Sequence, residues 1–162
     1  MKDKEFYIKY KELQYDDLKE IDKTLISKAL DAAKNAYAPY SNFRVGAAVL
    51  LKDGLIVTGN NQENAAYPSG LCAERVALFY ANANYPNTVV DSIIIVVINH
   101  DDKIVPQTIS PCGSCRQVIA ETEMRYKNNI RILLASENHI LEFNSISDLL
   151  PFSFSQKDLL KY

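Results

Sequence analysis

The apolar positions change period along the chain, and each change marks an element. In residues 5–11, Phe6, Ile8 and Tyr10 alternate with polar neighbours, the period-two signature of a short edge strand. From Leu18 to Tyr37 the period lengthens. Leu18, Ile21, Leu25, Ala29, Ala32, Ala33 and Ala36 recur at helical spacing. Asp16 or Asp17 is a candidate cap, a break is expected near Asp22–Lys23, and Ala38-Pro39 ends the helix because the residue before proline is pushed out of the α region. Arg44 to Lys52 reads as a buried strand, Asp53-Gly54 as a two-residue hairpin turn, and Leu55 to Thr58 as the returning strand. Val76, Leu78, Phe79 and Ala81 set a second helix after Gly70-Leu71, running to Asn84. Ser92 to Asn99 is almost purely β-branched and apolar, which fits a central strand covered on both faces. Pro111 to Tyr126 reads as a third helix, with Val118, Ile119 and Met124 on its apolar side. Ile130 to Ala135 and Ile140 to Phe143 read as strands, and Ser145 or Ser147 caps a short helix at 146–150 that Pro151 stops.

That order predicts an α/β fold: a three-layer αβα sandwich around a mixed sheet of about five strands. Composition narrows the class further. The chain has 162 residues, 48% hydrophobic and 23% charged, enough for one core and too apolar for wholesale disorder. Its net charge of −2 supplies no basic field for nucleic acid or an anionic membrane. No apolar run reaches the roughly 18 residues of a membrane span. The charged start, Met1-Lys-Asp-Lys-Glu, lacks a secretory apolar segment, so a cytoplasmic protein with reduced thiols is expected.

Cysteine placement changes the picture. There are three, Cys72, Cys112 and Cys115, so they cannot all pair internally. Cys72 falls at the predicted start of the second helix, and Cys112-Gly-Ser-Cys115 at the start of the third. Helix amino ends carry partial positive charge, which stabilises thiolates. Three thiolates with an open fourth position describe a catalytic zinc site, whereas structural sites fill all four. Glu74, two residues past Cys72, is placed to act as a general base without ligating the metal. Three thiolates would leave Zn²⁺ with a net local charge of −1. Arg75, Arg116 and Gln117, each beside a ligand, are the candidate donors that draw charge off sulfur. A Cys-x-x-Cys pair alone also fits a redox couple, a structural half-site or two core thiols. A redox couple would leave Cys72 and Glu74 idle. His100 or His139 could complete a structural site, but both lie in polar stretches that read as solvated loops.

Cys72-Ala-Glu-Arg75 together with Pro111-Cys-Gly-Ser-Cys-Arg-Gln117 closely resembles the cytidine deaminase family, in its small homotetrameric form with three cysteine ligands. The resemblance runs from Leu25 to Leu159. It includes Tyr40-Ser-Asn-Phe43, Asn61-Gln-Glu-Asn-Ala-Ala-Tyr67 and Leu149-Leu-Pro151. It implies residues 1–22 as an N-terminal extension and 23–162 as the catalytic domain. It implies one Zn²⁺ on Cys72, Cys112 and Cys115, with Glu74 moving protons. Asn61 and Glu63 would bond the ribose hydroxyls, although by themselves they also fit an exposed polar strand end. Phe43 would pack on the pyrimidine, and Arg75 would neutralise charge. Ala66, Tyr67 and Phe154 would line a neighbouring subunit's pocket, with Phe152 competing for the role of Phe154.

The implied reaction is hydrolytic deamination of cytidine and 2′-deoxycytidine to uridine and 2′-deoxyuridine, with release of ammonia, in pyrimidine salvage. The implied partner is a small nucleoside, in a homotetramer whose pockets are shared between subunits. Three rivals remain: a deaminase of a modified cytidine or nucleoside antibiotic, a deaminase of DNA or RNA, and a non-catalytic zinc-binding module. Net charge and the lack of a basic, aromatic-interleaved stretch weigh against the second. Glu74 weighs against the third, since a purely structural site needs no proton shuttle.

Overall fold

A computed structural model describes residues 1–160. The sheet strands are β1 (Lys11–Leu13), β2 (Arg44–Leu51), β3 (Ile56–Asn60), β4 (Val90–Ile98), β5 (Arg131–Ala135) and β6 (Ile140–Phe143). The helices are α1 (Glu20–Lys34), α2 (Ala73–Asn84), α3 (Gly113–Tyr126) and α4 (Gln156–Leu159). The strands form one sheet in the order β1-β6-β5-β4-β2-β3. β4 and β5 run parallel and every other neighbouring pair antiparallel, so the sheet is mixed.

β4 explains the three layers. Its side chains alternate between two buried faces. Ile94, Val96 and Ile98 meet Leu25, Ala29 and Ala33 of α1, while Ile93, Ile95 and Val97 share a core with Ala77 and Leu78 of α2 and Ile119 of α3. A strand buried on both faces has no polar face to show, which is why its sequence reads as a continuous apolar run. Gly54 takes φ +91° in the turn before β3, and the Asp53 carboxylate accepts the Leu55 N–H at 3.1 Å. At Gly59 of β3 an added Cβ would stand 2.5 Å from Ala77 N and 2.6 Å from Ala73 O, so α2 lies directly on this strand.

The sheet has six strands rather than five. The sixth is β1, and it is displaced from the expected 5–11. Lys11, Glu12 and Leu13 pair with Glu142, Leu141 and Ile140. Residues 5–10 form no ladder, and Phe6, Tyr7, Ile8 and Tyr10 are exposed. Alternation makes a segment able to extend, but only a partner edge makes it a strand, and β6 is four residues long. Tyr10 packs on Phe143 instead, with ring centroids 5.7 Å apart.

The expected break near Asp22–Lys23 is absent. Asp22 lies in the first turn of α1, buried, bound at both carboxylate oxygens by Arg131 of β5 at 2.6 and 2.9 Å. Both residues 22 and 23 therefore sit in one helix that joins the amino-terminal segment to the rest. Neither Asp16 nor Asp17 caps α1, whose N-cap is Lys19. Both lie in an earlier 3-10 turn, Tyr15–Asp17, where the Asp17 carboxylate accepts the Gln14 N–H at 3.0 Å. α1 ends at Lys34, four residues before Ala38. Ser145 caps the turn Ile146–Asp148, its hydroxyl oxygen accepting Ser147 N–H at 3.2 Å. α4 is only four residues long, too short to carry an apolar period, and starts at a capping box formed by Ser155 and Asp158.

Candidate active site

Cys72 and Cys112 are the N-cap residues of α2 and α3, and Cys115 is the third residue of α3. Both helices pack on the same face of the sheet, so residues 40 apart in sequence meet. The Sγ atoms of Cys72 and Cys112 are 3.8 Å apart, and those of Cys112 and Cys115 are 3.5 Å apart. All three thiols are free. A tetrahedral centre with roughly 2.3 Å metal–sulfur bonds requires sulfurs about 3.8 Å apart, whereas a disulfide requires about 2 Å. The triad has the spacing of zinc ligands. Electrostatics agree. Hydrogen bonds from Cys115, then Arg75 and Cys112, outweigh burial and bring the Cys72 thiol down to about 5. The Cys115 thiol is pushed up by its bond to Cys72 and by burial. The sulfurs cannot all ionise side by side without a cation between them, and Zn²⁺ is the cation that this donor set suits.

Glu74 is the second residue of α2, only 4% exposed. Burial, reinforced by the Cys72 charge, pushes its carboxyl above the usual range. A carboxyl tuned upward beside a metal triad suits proton exchange near neutral pH. Of the expected charge-drawing donors, Arg75 reaches a sulfur. One Nη donates to Cys72 Sγ at 3.7 Å and to Gly70 O at 3.2 Å. Arg116 instead donates to Pro111 O at 2.8 Å and Leu149 O at 2.9 Å, and Gln117 to Phe154 O at 2.8 Å. Adjacency in sequence did not translate into contact, because consecutive helical residues point about 100° apart.

A cavity of about 510 Å³ opens onto Cys72, within the range of small-molecule sites. Ser41, Asn61, Glu63, Tyr67 and Arg75 are among its lining residues. Asn61 is buried. Its Oδ1 accepts Val45 N–H and its Nδ2 donates to Phe43 O, each at 2.8 Å. Glu63 accepts the N–H groups of Tyr40 and Ser41 at 2.9 and 3.3 Å, and the Ser41 hydroxyl as well.

Comparison with known proteins decides the family. Residues 19–128 match the model of the cytidine and deoxycytidylate deaminase zinc-binding region, which holds all three cysteines and Glu74. The chain belongs to this deaminase family. A cytidine deaminase from Halalkalibacterium halodurans is 40% identical over 135 residues, covering 83% of this chain and 95% of that protein. One from Mycobacterium tuberculosis is 35% identical, covering 83% and 90%. The crystal structure of cytidine deaminase from Burkholderia pseudomallei superposes with a TM-score of 0.68 at 39% identity, covering 82% of this chain and 98% of that one.

The other residues expected from the deaminase resemblance are dispersed. Phe43 is exposed and Ala66 is exposed, and neither lines the cavity, whereas the exposed Tyr67 does. Phe154 lies outside this cavity, beside α3 and α4 in a separate cleft with Glu121 and Arg125. Phe152 is 92% exposed and packs on Phe6, centroids 6.5 Å apart. His100 is exposed, and His139 faces Ser136 Oγ at 3.3 Å; neither is in the sulfur cluster. The sequence alone gives Ser41 no role. Nothing local links it to Glu63, 22 residues away. The one signal in the sequence is Asn42, a residue type that tolerates the left-handed backbone of tight turns, and it takes φ +54° here.

Proposed function

We propose that this deaminase converts cytidine and 2′-deoxycytidine to uridine and 2′-deoxyuridine, releasing ammonia, as a step of pyrimidine salvage. The observation that carries the reading is the sulfur triad at two helix ends, with a buried carboxyl beside it, opening to a nucleoside-sized cavity. Zn²⁺ held by Cys72, Cys112 and Cys115 would supply the Lewis acidity that makes water a nucleophile at neutral pH. Glu74 takes one proton from that water and delivers it to N3 of the pyrimidine as the oxygen adds to C4. It then takes the hydroxyl proton of the C4 adduct and passes it to the amine, which leaves as ammonia, so the carboxylate returns to its starting state. Burial keeps the Glu74 carboxyl basic enough for both transfers. Arg75 draws charge from Cys72 sulfur. Phe43 packs on the ring, and Asn61 and Glu63 meet the sugar hydroxyls, so a free base would leave them unpaired.

Among the cavity's lining residues Arg75 is the one cation, and it is already bound to Gly70 O and Cys72 Sγ. Nothing there awaits a phosphate, which favours a nucleoside over a nucleotide. The functional division is an extension, 1–22, on a catalytic part, 23–162. The assembly is a homotetramer in which Ala66, Tyr67 and Phe154 of neighbours help close each pocket; exposed aromatic rings at Tyr40, Phe43 and Tyr67 supply surface for it. The chain works in the cytoplasm, where reducing conditions keep three thiols available to metal. Among the described residues no helix is long and apolar enough to cross a membrane.

Metal analysis and loss of cytidine absorbance on the same preparation test the reading. Wild type should carry zinc and convert cytidine and deoxycytidine in preference to cytosine and dCMP. Glu74→Gln should keep the zinc and lose about 10²- to 10⁴-fold in turnover. Near wild-type turnover by that variant refutes the proton-shuttle role.

A further inference from the structure

The turn Tyr40-Ser41-Asn42-Phe43 at the cavity mouth belongs to no helix or strand, yet it is tightly bonded. Oε2 of Glu63 accepts the Tyr40 and Ser41 N–H groups at 2.9 and 3.3 Å. Oε1 accepts the Ser41 hydroxyl. The same Ser41 oxygen accepts the Phe43 N–H at 3.0 Å, and Asn61 holds the Phe43 carbonyl at 2.8 Å. One hydroxyl therefore joins the carboxylate of residue 63 to the backbone that carries the ring of residue 43. The Glu63 carboxyl is held below the usual range, first by Ser41 and then by Tyr40, so it is an ionised acceptor.

We infer that Ser41 is a positioning residue for substrate binding, acting through Glu63 and Phe43. An ionised carboxylate has about four acceptor positions. The two on Oε2 are taken by backbone N–H groups. On Oε1 the Ser41 hydroxyl takes one, which fixes the carboxylate's rotation and leaves the other for a sugar hydroxyl. Without Ser41 the Oε1 atom loses its anchor, and the Phe43 N–H loses its acceptor. Binding should weaken while the chemistry at Glu74 proceeds unchanged. The inference rests on the cavity's taking a nucleoside, as proposed above.

Steady-state kinetics with cytidine on the intact enzyme test it. Ser41 is exposed, so Ser41→Ala removes a hydroxyl without opening the core. The expected result is a KM raised about tenfold, the worth of one hydrogen bond to a charged group, with kcat within twofold. Ser41→Thr keeps the hydroxyl and should return KM to within about threefold of wild type. A KM within twofold of wild type for Ser41→Ala overturns the inference, as does a fall in kcat at constant KM. Failure of Ser41→Thr to restore KM overturns it as well. If wild-type enzyme itself leaves cytidine unconverted, the proposed function has failed instead. Thermal melting of each variant separates misfolding from misplacement, since a folded Ser41→Ala with normal KM still counts against the inference.

Discussion

Arg75 meets the metal site through one nitrogen. Its Nη spans Cys72 Sγ and Gly70 O, and its buried Nε has no partner among the described residues. An arrangement in which a cation is held against a ligand sulfur points to tuning of that sulfur. Arg75→Ala is expected to lower zinc affinity or kcat/KM by about 10- to 100-fold, read by chelator competition and cytidine assay. Arg116→Ala should act differently. Its guanidinium ties α3 to Pro111 and Leu149, so the loss should appear in thermal stability, about 1–3 kcal/mol. Equal effects of the two variants on zinc affinity would refute the distinction. Cys72 with Glu74, and Cys112 with Cys115, are legible because each pair is a short local motif at a helix start, whereas their meeting across 40 residues is tertiary. The Glu63–Ser41 bond was not, since it exists only after the chain turns back on itself.

At the scale of elements, Gly59 sets how closely α2 can approach β3. A Cβ there would stand at 2.5 and 2.6 Å from backbone atoms of Ala77 and Ala73, which cannot move without moving the helix. Gly59→Ala should cost about 1–3 kcal/mol in thermal unfolding. It should also weaken zinc binding, because α2 carries Cys72 and Glu74. Gly113→Ala is the contrast, as a Cβ there meets nothing within 4 Å, and its melting temperature should stay close to wild type. If both variants melt like wild type, the close approach does not hold α2 in place. Periodicity revealed five of the six strands and the three long helices because each carries its own apolar pattern. It misplaced β1 because three exposed or half-exposed residues, Lys11–Leu13, carry almost none.

At the scale of the whole molecule, the amino-terminal segment is tied down by charge. Glu142 of β6 receives Lys11 of β1 at 2.9 Å and Arg131 of β5 at 2.6 Å, and Arg131 also holds Asp22 of α1. Burial alone would push the Glu142 carboxyl up, but Lys11 and Arg131 more than offset it and hold it below the usual range. Its folded pKa is therefore lower than its unfolded one. The resulting stabilisation is complete above the ordinary carboxylate value of about 4.3, and it fades as pH falls through the folded value. Glu142→Gln should melt below wild type at pH 7, and the gap should narrow as pH falls below about 5. Zinc loss at acid pH is common to both proteins and cancels in the difference. Parallel melting curves from pH 7 to pH 4 would show that Glu142 contributes no such term. Assembly belongs to this scale too. Light scattering should give a tetramer, and a fully active monomer would refute the shared pocket.

The sequence by itself determined the layered α/β class, the three metal-binding thiols and the carboxyl beside them. Apolar period and the short spacing within each cysteine motif are local properties, and they survive in an unfolded string. Only the tertiary structure decided that Arg75 rather than Arg116 reaches a sulfur. It alone showed that Asp22 continues a helix instead of breaking it, because Arg131, 109 residues away, neutralises its charge. It alone joined Ser41 to Glu63 at the cavity mouth. Each of these depends on which distant backbone segments the sheet order brings together, and no window along the chain contains that order.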